Sequence, residues 1–455
     1  MNRVLYKIQG ESMATGAAAG NRPPTAREAL DAAIARFQQR NALSLELHRK
    51  ATKTLPGGNT RTQVHTTPFP VYMSSGTGYQ VTSEDGHTYT DLVAEVTVSV
   101  YGHSNPVIRD AITTAFDNVG LNLGATTVYE TTLAEALCSR YDLEQVRFTN
   151  SGTEANLHAL VAARAYTGKR KIVVLGGGYH GGLLIFRGGE VAVNNVDQAD
   201  WIVARFNDLD SVRGAIQQEG VAAVLVEGLQ GVGGAVPASV EFMRGIEASA
   251  RDAKVLFILD EVMTSRLAPG GLASIYGLKP DIMTLGKALG GGLAFGAFGG
   301  RADILSIFDP RLDRSLPHHG TFNNNTLAMI VGHAGLTRIF TPEVCKQLNA
   351  TGDILIRRLA AISTGTKMSF TGIGSIIGSH FTQAGLQTIE RETPEVTELK
   401  DLFWYEMMEE GFWVLRDGRI ALMIGTPQDE LEKFVRAVEA FLQRYGHLVQ
   451  VDQSR

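Results

Sequence analysis

The middle of the chain places the strongest constraint on the fold. Between about residues 105 and 340, short β-branched runs alternate with segments of helical period: Val146–Thr149, Ile172–Leu175, Trp201–Phe206, Val221–Glu227, Val255–Asp260 and Ile282–Leu285. Each run is followed by glycine or polar residues and then by a helical pattern. Such runs read as strands buried on both faces, and buried strands separated by helices build a parallel sheet. The expectation is an α/β architecture with a sheet of six or more strands. Ligands of such sheets bind outside the carboxyl ends of the strands.

The flanks follow a different pattern. Thr25 and Glu28 have capping-box spacing ahead of Leu30, Ile34 and Phe37, which predicts a helix from about Thr25. A Pro/Gly-rich stretch, Leu55-Pro56-Gly57-Gly58-Asn59-Thr60-Arg61, precedes two β segments around Val71–Tyr79 and Thr88–Leu92. After about residue 340, helices mix with short strands. Thr426-Pro427 predicts a last helix with Thr426 as N-cap and Asp429 at the third position, its apolar face running from Leu431 to Leu442. The first twenty residues lack the apolar core of a secretory signal; residues 1–24 read as a flexible leader, with Met13 a second candidate start.

Composition removes several functions. The chain has 42 basic against 47 acidic side chains and a net charge of −5, so it has no basic footprint for nucleic acid. No apolar run approaches the roughly 18 residues that cross a bilayer. Cys138 and Cys345 are too few for a disulfide framework or a structural zinc site, and a reducing cytoplasm is the expected compartment. The 50 glycines follow no three-residue period and sit between apolar runs, which excludes collagen and disorder. Clustered glycines instead let backbone close on something small.

The strand ends carry the candidate chemistry. Phe148-Thr149 runs into Asn150-Ser151-Gly152-Thr153-Glu154 at a helix start, where free amides and the macrodipole suit a phosphate. A plain serine N-cap accounts for the same residues. The next strand ends in Gly176-Gly177-Gly178-Tyr179-His180-Gly181-Gly182, which matches the dinucleotide pattern only formally, because Tyr179 and His180 are bulky. The loop reads better as one that presents Tyr179 for stacking on an aromatic ligand, with a surface turn as the alternative. Asp260 ends an almost wholly apolar strand and needs a cationic partner, for which a protonated pyridine nitrogen is one choice; a helix N-cap or a metal ligand is another. Lys287, between Thr284-Leu285-Gly286 and Gly290-Gly291-Gly292, suits a desolvated amine able to form a Schiff base, against a structural lysine. A P-loop is excluded, since Ala288 stands where serine or threonine is required. Together, a phosphate cradle, a stacking ring, a carboxylate and a lysine in this order describe a pyridoxal 5'-phosphate site.

Through these motifs and Gly320-Thr321-Phe322, the chain resembles the class III pyridoxal-phosphate aminotransferases of fold type I over nearly all of residues 25–450. The resemblance implies an aspartate aminotransferase-like fold: a mostly parallel seven-stranded sheet in a large cofactor-binding domain, 105–340, and a smaller α+β domain, 341–455. Residues 25–104 would contribute to the small domain and the active site. By the same resemblance Lys287 is the Schiff-base lysine and Asp260 pairs with the pyridine nitrogen. Ser151, Gly152 and Thr153 hold the phosphate, Tyr179 stacks on the ring, and Glu227, Val262 and Met263 line the cofactor site. Thr321 is expected to reach the phosphate of a neighbouring subunit, which implies a homodimer with shared sites.

Within the class, the chain is similar to the glutamate-1-semialdehyde aminomutase branch and to the β-amino-acid aminotransferases. In both, the arginine of the Leu55–Arg61 run lies in the active site, so Arg61 is the candidate for a substrate carboxylate. Asp260-Glu261-Val262-Met263-Thr264-Ser265-Arg266 and Asn122-Leu123-Gly124-Ala125-Thr126-Thr127 depart from the aminomutase pattern toward the β-phenylalanine type. That type implies a second arginine for the α-carboxylate of a keto acid, here Arg416 in preference to Arg419. The expected activity is ping-pong transfer of an amino group from a β-amino acid to a 2-keto acid such as 2-oxoglutarate or pyruvate. The alternative within the cofactor class is the aminomutase; outside it, a nucleotide-dependent oxidoreductase using the Gly176 loop.

Overall fold

The computed structural model describes residues 22–186, 189–193, 195–382 and 393–451. Most of the expected leader, through residue 21, lies outside them. In chain order the strands are β1 (Met73–Thr77), β2 (Gln80–Ser83), β3 (Thr88–Asp91), β4 (Gln145–Thr149), β5 (Lys171–Leu175), β6 (Trp201–Ala204), β7 (Val221–Glu227), β8 (Leu229–Gln230), β9 (Val236–Pro237), β10 (Leu256–Asp260), β11 (Ile282–Gly286), β12 (Gly296–Gly300), β13 (Ser369–Ile373), β14 (Ile376–His380), β15 (Phe412–Trp413) and β16 (Arg419–Ala421).

Seven strands form the main sheet in the order β4-β12-β11-β10-β7-β5-β6. Only β12 runs against its neighbours, β11 and β4. The sheet is buried because its strands are apolar on both faces. Val173, Leu175, Val224, Val226, Phe257 and Leu259 enter one core, while Ile172, Val174, Ala223, Leu225, Leu256 and Ile258 enter the opposite one. This period-two division lets helices cover both sides of the sheet. All the strand runs expected in this region occur, within one or two residues at their ends. The main sheet gains one strand that was not expected, β12, Gly296-Ala297-Phe298-Gly299-Gly300, whose glycines erase any apolar pattern. They have a steric cause: a Cβ at Gly296 would collide with the Ser151 carbonyl. The antiparallel strand thus runs backbone against the turn that opens the helix Gly152–Thr167.

The two ends of the chain share a third core. The helix Ala26–Arg40 carries the expected capping box between Thr25 and Glu28, and it buries Leu30 and Phe37. The Phe37 ring lies 5.8 Å from that of Trp404 and 5.2 Å from that of Tyr405. Strand β15 pairs in parallel with β3, completing the sheet β1-β2-β3-β15. A network around buried Glu406 fixes the seam, receiving Arg36 at 2.6 Å, Arg444 at 2.5 Å and the Tyr445 hydroxyl at 2.8 Å. The last helix begins one residue later than expected, at Gln428, with Pro427 at the cap position. Thr426 does not cap it; its hydroxyl donates back to Met423 O at 3.1 Å. Among the described residues, no helix is long and apolar enough to cross a membrane.

Candidate active site

The carboxyl ends of β4, β5, β7, β10 and β11 open onto one cleft of about 320 Å³. After β4, Ser151 caps the helix Gly152–Thr167 by accepting from Glu154 N at 3.2 Å. Asn150 donates to Glu154 through both its backbone and its side chain. The cap leaves the Gly152 and Thr153 amides at the positive end of the helix dipole, with no acceptor among the described residues. After β5, the glycine loop folds onto this turn. Gly181 has φ +128°, and a Cβ there would collide with the Thr153 side chain. The Thr153 hydroxyl accepts from Gly182 N at 3.3 Å.

Beneath the loop lies a buried acid–base cluster. Asp260 accepts from His180 Nδ1 at 2.8 Å, Asn156 Nδ2 at 2.9 Å and Val262 N at 3.0 Å. Asn156 is itself satisfied, accepting from the Thr284 hydroxyl at 2.8 Å and donating to His180 O at 3.0 Å. Burial opposes a charge on His180, but the bond to Asp260 and the charges of Asp260 and Glu227 outweigh it and raise its pKa. Glu227, at the end of β7, accepts from Tyr179 N at 2.9 Å and Gly231 N at 3.2 Å. Burial, reinforced by the Asp260 charge, pushes it up to about 6 against the lowering effect of His180 and these amides.

Lys287 follows β11 with φ +51°, a left-handed conformation that opposes its side chain. Burial lowers its pKa to about 8; Asp260 and Glu227 counter this, and Arg419 and Arg266 add to it. The ammonium therefore carries a penalty on folding. Below pH 8 both the folded and unfolded chains bind the proton and the penalty is complete. It fades as pH rises from about 8 to the ordinary 10.5. At pH 7 it amounts to about 3 kcal/mol. Lys287→Met is thus expected to make the cofactor-free protein more stable by up to about that amount at pH 7, with the gain shrinking at pH 9.5, as read by urea denaturation. Equal stability of the two proteins at pH 7 would contradict it.

Of the residues singled out in the sequence, Ser151, Gly152, Thr153, Tyr179, Glu227, Asp260, Val262, Met263, Lys287 and Arg61 line this cleft. Arg416 does not. Its guanidinium is bound in bidentate fashion by Asp401, at 2.5 and 2.6 Å. The turn at Gly418, φ +90°, reverses the chain between the two arginines, so Arg419 opens β16 and faces the cleft. Of the two arginines weighed in the sequence, Arg419 and not the preferred Arg416 lines the cleft, held by Asp417 at 2.7 Å. Thr321 also lies outside the cleft, on an exposed turn. A second cavity of about 350 Å³, between Thr114, Tyr129 and His333, gathers none of the strand-end groups.

Sequence reasoning missed His180, Asn156, Glu95 and Arg266. Asn156 had a signal: it stands on the apolar face of its helix with Ala159, Leu160 and Ala163, where a polar side chain needs a partner. Glu95 and Arg266 belong to an unusual segment. Ala94, Glu95, Val96 and Thr97 have φ of 47°, 49°, 56° and 76°, one left-handed helical turn made of side-chain-bearing residues. Such a conformation costs about 1–2 kcal/mol per residue. Asp91 caps its start through Val93 N and Ala94 N, at 2.7 and 3.0 Å. Arg266, buried, donates to Thr97 O and Leu422 O at its far end.

The chain belongs to the class III aminotransferases, whose family profile matches residues 62–186 and 189–441. It is 50% identical to an uncharacterised aminotransferase of Schizosaccharomyces pombe, over 92% of this chain and 96% of that one. It is 42% identical to the β-phenylalanine transaminase of Variovorax paradoxus, over 93% of this chain and 98% of that protein. The crystal structure of the Variovorax β-phenylalanine aminotransferase superposes with a TM-score of 0.92 at 40% identity, covering 94% of this chain and all of that one. A glutamate-1-semialdehyde 2,1-aminomutase of Pelotomaculum thermopropionicum is 34% identical over 82% of this chain and 90% of that one. The protein is thus a class III aminotransferase of fold type I that depends on pyridoxal phosphate. Its site fits that cofactor: two free amides at a helix N-terminus, a buried carboxylate and a depressed amine occupy one cleft.

Proposed function

We propose that this enzyme transfers the amino group of an aromatic β-amino acid to a 2-keto acid, with Lys287 as its central base. The observation that carries this reading is the convergence on one cleft of Asp260, Lys287 and two arginines, Arg61 and Arg419. When bound, pyridoxal phosphate supplies an electron sink for the pair left as the donor's C–H bond breaks. The Gly152 and Thr153 amides, with Ser151, hold the phosphate. Tyr179 covers the ring, Glu227, Val262 and Met263 line its pocket, and Asp260 keeps the ring nitrogen protonated. Lys287 Nζ, neutral for part of the cycle, takes the proton from the donor's amine-bearing carbon. Its lowered pKa suits that task near neutral pH. Arg61 receives the donor's carboxylate, and Arg419 the α-carboxylate of the keto acid.

We further infer two lobes, 105–340 and 341–455 with 25–104, acting as a homodimer in the cytoplasm. Support for the dimer comes from exposed Phe116, Leu123, Val128 and Phe322, and from Asn324 and Asn325 tying the 320s turn to residues 122–125. These place apolar surface beside Thr321, where a second copy would bring that hydroxyl to the neighbouring site. Both cysteines are free, which suits a reducing compartment.

Borohydride reduction followed by peptide mapping tests the core of the reading: the pyridoxyl label should sit on Lys287, and a label elsewhere overturns it. Incubation with 3-amino-3-phenylpropanoate and 2-oxoglutarate separates the two activities. New glutamate supports the aminotransferase; isomerisation of glutamate 1-semialdehyde without added keto acid supports the mutase. Arg419→Ala is expected to raise KM for 2-oxoglutarate about 10- to 100-fold through loss of a charge-assisted bidentate contact. Arg416→Ala should leave that KM near its original value, and the reverse ranking would restore Arg416.

A further inference from the structure

The left-handed turn Ala94–Thr97 is held from both sides by buried ionic groups. Asp91, which is also bonded to His103 at 2.8 Å, fixes its start. Arg266 fixes its end while itself lacking an acidic partner among the described residues, with its Nε left without a hydrogen bond. A conformation this unfavourable persists only where its surroundings over-determine it, and such segments collect at functional sites. At the tip of this turn, Glu95 meets the Arg61 guanidinium in an ion pair at the edge of the cleft, and Val96 lines the wall.

We propose that Glu95 is a specificity-determining residue: a resident carboxylate that occupies Arg61 until a ligand carboxylate displaces it. The inference rests on Arg61 being the carboxylate-binding residue of the proposed reaction. An amine without a carboxylate leaves the Arg61–Glu95 pair closed and gains nothing from Arg61. A ligand with one must outcompete Glu95, and it then receives the whole guanidinium. Asp91 and Arg266 are positioning residues that hold the competitor in place. The pair is half-exposed, 53% and 48% by side chain, so the competition is modest.

The test uses the holoenzyme with 3-phenylpropanoate, a carboxylate lacking the amine, in titration calorimetry. Glu95→Gln is expected to lower its Kd about three- to fivefold, and to raise by a similar factor the kcat/KM preference for 3-amino-3-phenylpropanoate over 1-phenylethylamine. Arg61→Ala should weaken 3-phenylpropanoate about 10- to 100-fold, and Glu95→Gln should have no further effect in that background. If Arg61→Ala weakens binding but Glu95→Gln leaves it unchanged or weakens it too, the competitor role is overturned while the reading of Arg61 stands. If Arg61→Ala changes nothing, both fall.

Discussion

Lys287→Ala is expected to lower turnover by about 10⁴-fold or more, because the proposed base and covalent anchor would be lost together. The change leaves the rest of the cleft intact. Among the described residues the Lys287 side chain makes no hydrogen bond that supports a neighbour, and the free amides of Gly152 and Thr153 belong to another element, the helix Gly152–Thr167. The variant should therefore fold, bind pyridoxal phosphate more weakly, and show no burst of product in single-turnover assays with 3-amino-3-phenylpropanoate. Together with the gain in stability expected when the desolvated amine is replaced, it would show a residue retained at a thermodynamic disadvantage for its chemistry. Near-normal turnover would remove Lys287 from the reaction.

Asp260→Asn is the second large effect, a loss of about 10²–10³-fold in kcat. The isosteric amide can still accept from His180 and Asn156 through its oxygen, losing only the Val262 N bond, but in the proposed role it cannot hold a proton on the ring nitrogen. It also leaves His180 buried without its bonded counter-charge. The His180 pKa, raised in the native protein by Asp260 and Glu227, should then fall, since burial is its largest single influence. NMR titration of the imidazole reads this directly. A lowered His180 pKa with unchanged kcat would confine Asp260 to a structural role, and an unchanged pKa would contradict the charge pairing.

Much of this site could be seen before any coordinates. Asp260 and Lys287 stand out because each places a charge at the end of a strand that is otherwise apolar, where burial without purpose is expensive. The strands themselves are legible for the same reason: Val221–Glu227 is buried at every position, so no polar alternation confuses it. What escaped detection has equally physical causes. Strand β12 carries too many glycines to show a period, since its backbone must approach Ser151. The choice between Arg416 and Arg419 depends on one positive-φ residue, Gly418, whose turn decides which side chain faces Asp401. Arg61 and Glu95 meet only through a left-handed turn of Ala, Glu, Val and Thr. No local propensity marks such residues for that conformation, because it is imposed from outside by Asp91 and Arg266.

The core shared by the two chain ends has a consequence for biosynthesis. Leu30, Phe37 and Phe69, whose ring lies 5.1 Å from that of Phe37, are made early, but the other aromatic residues that cover Phe37, Trp404 and Tyr405, are made much later. At about 5–20 residues per second, roughly 20–70 s pass between them. During that interval the first helix can pack on Phe69 alone among these rings, while the residues of the main sheet have already been made. Full packing of the first helix therefore waits for the helix Pro394–Glu409, and the seam between them is among the later contacts the chain can make during synthesis.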